Sequence, residues 1–131
     1  MNPEGYTALD GNLGLIRIPV KFSVTTAGAV NVVLHGKQYI LSIVKGTTGF
    51  VITLLEPCVE FMGQTLKIIP AAYSAARACN IQVASSDVTN QTTPTITFLT
   101  VDGLGGTAID MTTGDLVYGD ITLKYIDYTN A

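Results

Sequence analysis

Residues 15–24 read Leu15-Ile16-Arg17-Ile18-Pro19-Val20-Lys21-Phe22-Ser23-Val24. Every even-numbered side chain in this run is apolar, whereas four of the five odd-numbered ones are Arg, Pro, Lys and Ser. Side chains on a β-strand alternate between its two faces, so the run predicts a strand with one buried face and one wet face. Weaker copies of the alternation recur almost to the C-terminus, which favours an all-β domain.

Further apolar runs are separated by short turns rich in Gly or polar residues. The clearest hairpin spans residues 39–55, where two such runs flank the loop Gly46-Thr47-Thr48-Gly49. About eight to ten short strands at this spacing predict an antiparallel β-sandwich, jelly-roll-like in kind. The other strands are predicted over residues 30–34, 59–62, 65–69, 81–83, 96–101, 108–111 and 121–128.

Three features qualify this layout. Residues 1–14 have no sustained period and predict an extended N-terminal arm before a single domain over residues 15–131. Residues 71–79 are rich in alanine, so a short helix and an extended segment both remain open there. Leu99 and Val101 are apolar on the opposite parity to Ile96, which fits either a bulge or burial on both faces of that strand.

The composition describes a chain with little charge. At 131 residues and 13.8 kDa the chain is expected to form one domain, and its 13% charged residues are well below the usual share of about 25%. Part of the surface is therefore expected to face other protein, with a neutral surface rich in Thr, Ser, Asn and Gly as the alternative. The net charge of −3 argues against nonspecific binding to nucleic acid.

The charge is also uneven along the sequence. Residues 1–79 carry six basic and four acidic residues, a net +2, whereas residues 80–131 carry one basic and six acidic residues, a net −5. If the separation survives folding, it favours attraction between neighbouring copies. The sequence shows no signal peptide and no apolar run of membrane-spanning length, so a product made in the cytoplasm without a membrane span is expected.

No constellation of residues predicts an enzyme. His35 is the only histidine, and no nucleophile-elbow, zinc-protease or P-loop motif is present. Glu56 and Glu60 are spaced like a carboxylate pair, but Pro57 lies between them and the chain has no Trp to form a sugar platform. We therefore expect a non-enzymatic protein that needs no cofactor.

Metal and sugar sites are similarly weakly indicated. Four aspartates in the Gly-rich C-terminal region are typical of either a calcium site or simple turns, and the turns are favoured. These residues are Asp102, Asp110, Asp115 and Asp120. Tyr125 and Tyr128 fall on opposite faces of the last strand, so at most one of them is expected in the core, and the sequence shows no aromatic platform for a sugar. Cys58 and Cys79 are expected to be buried thiols, with a disulfide between them left open.

The C-terminal third carries one family resemblance. It reads Thr95-Ile96-Thr97-Phe98-Leu99-Thr100-Val101-Asp102-Gly103, then Gly106-Thr107-Ala108-Ile109-Asp110, then Gly114-Asp115-Leu116-Val117, then Ile121-Thr122-Leu123, after the hairpin 43–54. This order, over about residues 39–125, resembles small β-rich virion proteins of tailed bacteriophages. Residues 71–79 have no counterpart in that pattern.

The resemblance implies a capsid-decorating (cement) protein or another minor structural subunit of a phage head, often trimeric. Its implied partners are the major capsid protein and further copies of this chain, on the capsid surface of a virion made in the host cytoplasm. Neither nucleic acid nor membrane is implied. Tyr6 in the arm, together with Arg17 and Lys21 on the wet face of the first strand, is expected to contact those partners. The rival hypothesis is a receptor- or carbohydrate-binding β-sandwich module of a phage fibre or tail.

Overall fold

The structure is a computed structural model that describes residues 14–25, 30–32 and 39–125. These residues form nine strands and no helix, so none of them forms a helix able to cross a membrane. In chain order the strands are β1 (Leu15–Val24), β2 (Val30–Val32), β3 (Ile40–Lys45), β4 (Gly49–Leu54), β5 (Glu60–Gln64), β6 (Lys67–Ile69), β7 (Ala78–Asp87), β8 (Thr95–Asp102) and β9 (Leu116–Lys124).

The strands form two antiparallel sheets. The β1 sheet has the order β2-β1-β9-β5, and β6 also pairs with β9, along the half of that strand that β5 leaves open. The β4 sheet has the order β3-β4-β8-β7. The predicted all-β, antiparallel sandwich is therefore confirmed.

The alternation in β1 is the basis of the β1 sheet. Its even-numbered side chains are all buried, as the sequence predicts. β1 pairs along nearly its whole length with β9, so that Ile18 lies opposite Ile121 and Phe22 lies opposite Val117. Both members of each pair are buried, and together they give this sheet its apolar inner face.

Three phenylalanines join the two sheets in the core. The Phe22 ring, from β1, meets the Phe50 ring of β4 edge-on at 4.9 Å between centroids. Phe50 in turn stacks on Phe98 of β8, also at 4.9 Å. Aromatic pairs with this geometry contribute about 0.5–1.5 kcal/mol beyond the area they bury, so these contacts fix how the sheets face each other.

The predicted hairpin is present as β3 and β4. The Gly46 N–H donates to the Gly49 carbonyl at 2.8 Å and closes the loop between the two strands. β3 carries one extra residue, Leu41, because the register shifts between Ile40 and Ser42.

Residues 71–79 form neither a helix nor a continuous strand. They make turns and bends until β7 begins at Ala78. The Ala71 N–H donates to the distant carboxylate of Asp115 at 2.8 Å, and the Arg77 N–H donates to the Ser74 carbonyl at 2.9 Å. Within residues 71–77 the Arg77–Ser74 bond is the single backbone–backbone hydrogen bond, so the segment lacks the repeating bonds of a helix.

The change of parity near Val101 reflects burial on both faces rather than a bulge in β8. β8 runs without a register shift, and the extra residues lie in its partner β7, at Cys79 and Ala84. Val101 is buried, and it forms an isolated bridge with Ala108. That bridge is all that forms of the strand predicted over 108–111.

The other strand boundaries differ by a few residues from the predicted ones. The last strand begins at Leu116 rather than at Ile121. Gly119 and Asp120 break the alternation of apolar residues in the sequence, but the pairing with β1 continues through both positions. β5 and β6 are likewise shifted relative to the predicted 59–62 and 65–69. Residues 1–13, 33–38 and 126–131 lie outside the described residues, and with them Tyr6, His35 and Tyr128. The N-terminal arm, which falls almost wholly in the first of these ranges, therefore stays a prediction.

Gly119 lets the connection between β5 and β6 cross close to β9. A Cβ at this position would lie 2.6 Å from the Thr65 carbonyl oxygen, and φ is +142°. We predict that Gly119→Ala lowers the free energy of unfolding by about 1–3 kcal/mol, because the clash is with backbone and the conformation favours glycine. Gly105→Ala, where a Cβ meets nothing within 4 Å, is the control.

Urea denaturation of both variants checks this prediction. The Gly105→Ala midpoint should match the unsubstituted chain within about 0.5 kcal/mol. Equal stability of the two variants would contradict the close approach of the β5–β6 connection to β9.

Candidate functional site

Arg17 and Lys21 are exposed on the outer face of β1, as the alternation predicts. In the register of the β1–β9 pair, Lys21 lies opposite Tyr118 and Arg17 lies opposite Thr122. Both residues named as partner contacts therefore share one sheet face. Tyr6, the third residue named, lies outside the described residues.

Tyr118 occupies the centre of a short row across this face. Lys21 of β1 is its neighbour on one side, and Lys67 of β6 is its neighbour on the other. The Tyr118 side chain is 39% exposed, and both lysines are exposed. Strands lie about 4.8 Å apart, so the two lysines begin roughly 10 Å from each other. An acidic group placed over Tyr118 is within reach of both ammonium groups.

The six basic residues in the described part of the chain fall into two groups. Lys45 forms an ion pair with Asp110, and Arg77 forms one with the buried Asp115 at 3.5 Å. The other four lie on the outer face of the β1 sheet, which we call the basic face: Arg17, Lys21, Lys67 and Lys124.

Acidic residues on the basic face are fewer. At the paired positions of this face they are Glu60, opposite Lys124, and Asp120, opposite Pro19. Four basic and two acidic groups give the face a formal charge of +2, in a chain whose net charge is −3. Exposed apolar area accompanies the charge, since Ile69 is 51% exposed and lies one row from Tyr118.

Two hydrogen bonds hold the connection between β5 and β6 against β9. The Thr65 N–H donates to the Asp120 carbonyl at 2.8 Å, and the Asp120 N–H donates to the Thr65 hydroxyl at 3.0 Å. This reciprocal pair positions β6, and with it Lys67, beside Tyr118. A shallow cleft of about 410 Å³ next to them is lined by Lys67 and Tyr118 together with β7 residues such as Asn80.

The outer face of the β4 sheet has a different character. Its paired positions carry a single ionisable residue, Asp87. The rest are neutral: Ser42, Val44, Gly49, Val51, Thr53, Asn80, Gln82, Ser85, Thr95, Thr97, Leu99 and Val101. The neutral, Thr- and Ser-rich surface offered as an alternative explanation of the low charge is therefore present, on this face.

The four C-terminal aspartates serve separate structural roles. Asp110 pairs with Lys45, and the backbone of Asp120 binds Thr65. Asp102 Oδ1 accepts four backbone N–H groups in its own turn, from residues 104–107. Within the described ranges no group of three or more His, Cys, Asp or Glu residues is arranged to hold a metal ion.

Asp115, which the sequence marks only as a candidate calcium ligand or turn residue, is buried. Its Oδ2 accepts the Thr112 N–H at 2.8 Å, and its Oδ1 accepts the Ala71 N–H at 2.8 Å and faces Arg77. The carboxylate therefore ties the 71–77 segment to the turn before β9. Its partners lie as far as 44 residues away, so no local pattern could have identified them.

Glu56 and Glu60, which the sequence suggests as a carboxylate pair, do not share a site. Glu60 lies on the basic face, whereas Glu56 lines a different cleft at one end of the sandwich. Cys58 and Cys79 are both free thiols, and the expected burial is confirmed for Cys58 but not for Cys79, which is only partly buried. Burial raises the pKa of Cys58 to about 11, which keeps it protonated and unreactive at neutral pH.

Comparison of the chain with protein-family models, with curated proteins and with solved structures finds no match. The resemblance to phage virion proteins therefore stays an expectation drawn from the sequence. Any function assigned to the basic face has to be argued from its own residues and tested directly.

The Asp102 turn gives a prediction about pH. The four N–H donors, led by that of Gly105, lower the pKa of Asp102 below its usual 3.8. Its contribution to stability is therefore fully present above that unfolded value and is lost as the pH falls through the lower folded value. Asp102→Ala should lower the melting temperature at pH 7, and the deficit should shrink towards pH 2.

Thermal melts of Asp102→Ala and Asp102→Asn across this range provide the check. The asparagine variant keeps an acceptor oxygen without the charge. At pH 7 its melting temperature should therefore lie between those of the alanine variant and the unsubstituted chain. A deficit for the alanine variant that is constant from pH 7 to pH 2 would rule out the ionised carboxylate as the stabilising group.

Proposed function

We propose that this protein is a non-enzymatic structural subunit that attaches to other protein through its basic face. The proposal places it on the head of a tailed phage, as a capsid-decorating or minor capsid subunit in contact with the major capsid protein and with copies of itself. The observation that carries the proposal is that four basic residues share one outer sheet face, two of them beside the exposed Tyr118, in a chain that is otherwise acidic and sparsely charged.

The charge and the apolar area of this face suit an acidic protein surface. Exposed Tyr and Arg are typical of the residues that dominate binding energy at protein interfaces. Basic groups on a flat sheet face also speed encounter with an acidic partner and fix its orientation. Nucleic acid is a poorer partner, because the net charge of −3 opposes binding to phosphate away from this face.

The strand edges support contact through faces rather than through added strands. Extra residues interrupt β3 at Leu41, β5 at Met62 and β7 at Cys79 and Ala84. β6, which continues the same edge as β5, is only three residues long. Bulges and short strands are the usual means of preventing a sheet edge from pairing with another chain.

The size of the face sets a further requirement. Four strands side by side over about nine residues span roughly 600 Å². A stable interface uses about 800 Å² on each partner, so the basic face needs additional contact area. The predicted arm over residues 1–14, with Tyr6, is the segment we assign to that contact, and an oligomer, with a trimer favoured, supplies further area between copies.

The competing function is receptor or carbohydrate binding by a fibre or tail module. The cleft of about 410 Å³ beside Tyr118, with the side chain of Asn80 in its lining, is the observation that favours it. Glycan-array binding that depends on Tyr118 but not on Lys21 would support this alternative over capsid attachment.

Attachment can be tested with heads of the phage that encodes the chain, purified without this protein. Lys21→Gln with Lys67→Gln should weaken co-sedimentation by about tenfold or more, a loss near 1.4 kcal/mol, because both groups beside Tyr118 lose their charge. The matched control is Gln82→Glu with Ser85→Glu on the exposed part of β7, which changes the net charge by the same amount.

The control variant should bind like the unsubstituted chain. Binding of the unsubstituted chain should also weaken as salt rises, since exposed charges are screened. Failure of the unsubstituted chain to bind heads, or equal binding by the two double variants, would refute the proposal.

Deleting residues 1–13 tests the arm separately. Gly14 is retained because its carbonyl accepts the Tyr125 N–H at 3.0 Å and so belongs to the folded domain. We predict that the shortened chain keeps its melting temperature but loses most of its attachment to heads. Undiminished attachment of the shortened chain would show that the arm does not contact the head.

A further inference from the structure

A second cleft lies at the end of the sandwich where β1 starts and β9 ends. Its volume is about 270 Å³, and five residues line it: Ile16, Tyr39, Leu55, Glu56 and Tyr125. Ile16 belongs to β1 and Tyr125 follows β9, whereas Tyr39 precedes β3 and Leu55 and Glu56 follow β4, so strand ends of both sheets form the cleft. None of the five is basic, and we call this site the tyrosine cleft.

Two aromatic rings and one carboxylate define its chemistry. The rings of Tyr39 and Tyr125 lie 6.2 Å apart between centroids, tilted by 43°. Glu56 is exposed at the same site. Burial raises the pKa of Tyr125, and the neighbouring acidic groups Cys58, Glu56 and Tyr39 raise it further, so the phenol stays protonated. Ring faces beside a carboxylate in a partly enclosed site favour a cation.

The size of the cleft favours a single side chain. Pockets for small molecules usually measure about 300–1,000 Å³, and this one falls just below that range. A lysine fits the chemistry, because its aliphatic stem packs on apolar and aromatic surface while its ammonium group reaches a carboxylate. The described residues carry exposed lysines in one suitable place, beside Tyr118 on the basic face.

We propose that the tyrosine cleft of one copy of this chain receives a lysine, Lys21 or Lys67, from the basic face of a second copy, an inference that rests on the proposed assembly function. The charges are complementary, because the cleft presents Glu56 and the face carries a formal +2. The contact is heterologous, with a face on one copy and a cleft on the next, so repetition gives a closed ring or an open chain.

Mixing two variants tests this contact. Glu56→Gln disables the cleft but leaves the face, and Lys21→Gln with Lys67→Gln disables the face but leaves the cleft. We predict that the unsubstituted chain forms oligomers in native mass spectrometry from dilute salt. The Glu56→Gln variant and the double lysine variant should each be monomeric alone. An equal mixture of these two variants should form 1:1 heterodimers and nothing larger. A mixture that stays monomeric, or variants that still form the oligomer of the unsubstituted chain, would overturn the proposal.

Lys37→Gln is the control for a cation from within the same chain, since Lys37 precedes Tyr39 by two residues. It should leave the oligomer unchanged, and loss of association would count against a second copy as the source of the cation. Head binding separates this inference from the proposed function. Heads that bind the unsubstituted chain while the mixture shows no heterodimer contradict the cleft contact alone, whereas heterodimers without head binding contradict capsid attachment alone.

Discussion

The pairing of β1 with β9 is the constraint on which the rest of the structure depends. It joins the first described strand to the last and buries Ile18, Phe22 and Ile121 on one side. Because side chains alternate, the same pairing places Lys21 beside Tyr118 on the other side. A slip of one residue would exchange the two faces, so the core and the basic face are set by a single register.

The sequence predicts well the parts of the fold that depend on local pattern. The alternation of β1 and the Gly-bounded hairpin of β3 and β4 both need only neighbouring residues, and both are confirmed. The start of β9 and the turns of residues 71–77 were not predictable in this way. The first depends on β1 across a Gly-Asp interruption, and the second depends on Asp115, which lies far along the chain.

The candidate site likewise has one part that local sequence pattern predicts and one part that depends on strand pairing. Arg17 and Lys21 could be assigned to a wet face from β1 alone, whereas Lys67 joins them only through the pairing of β6 with β9. The low charge of the chain likewise has a spatial order that composition does not reveal. Basic groups are concentrated on one outer face, the other outer face is almost neutral, and the tyrosine cleft at one end contains Glu56. A subunit with surfaces this different is suited to a directional assembly, in which each surface has its own partner.

Lysine footprinting on intact particles tests most directly whether the basic face is buried in an assembly. The isolated chain, kept dilute enough to be monomeric, and the chain on phage heads would be labelled with an amine-reactive reagent, and each lysine would be quantified by mass spectrometry. Labelling of Lys21 and Lys67 should fall when the chain is on the particle. Equal labelling of both lysines in the two states would contradict burial of the basic face.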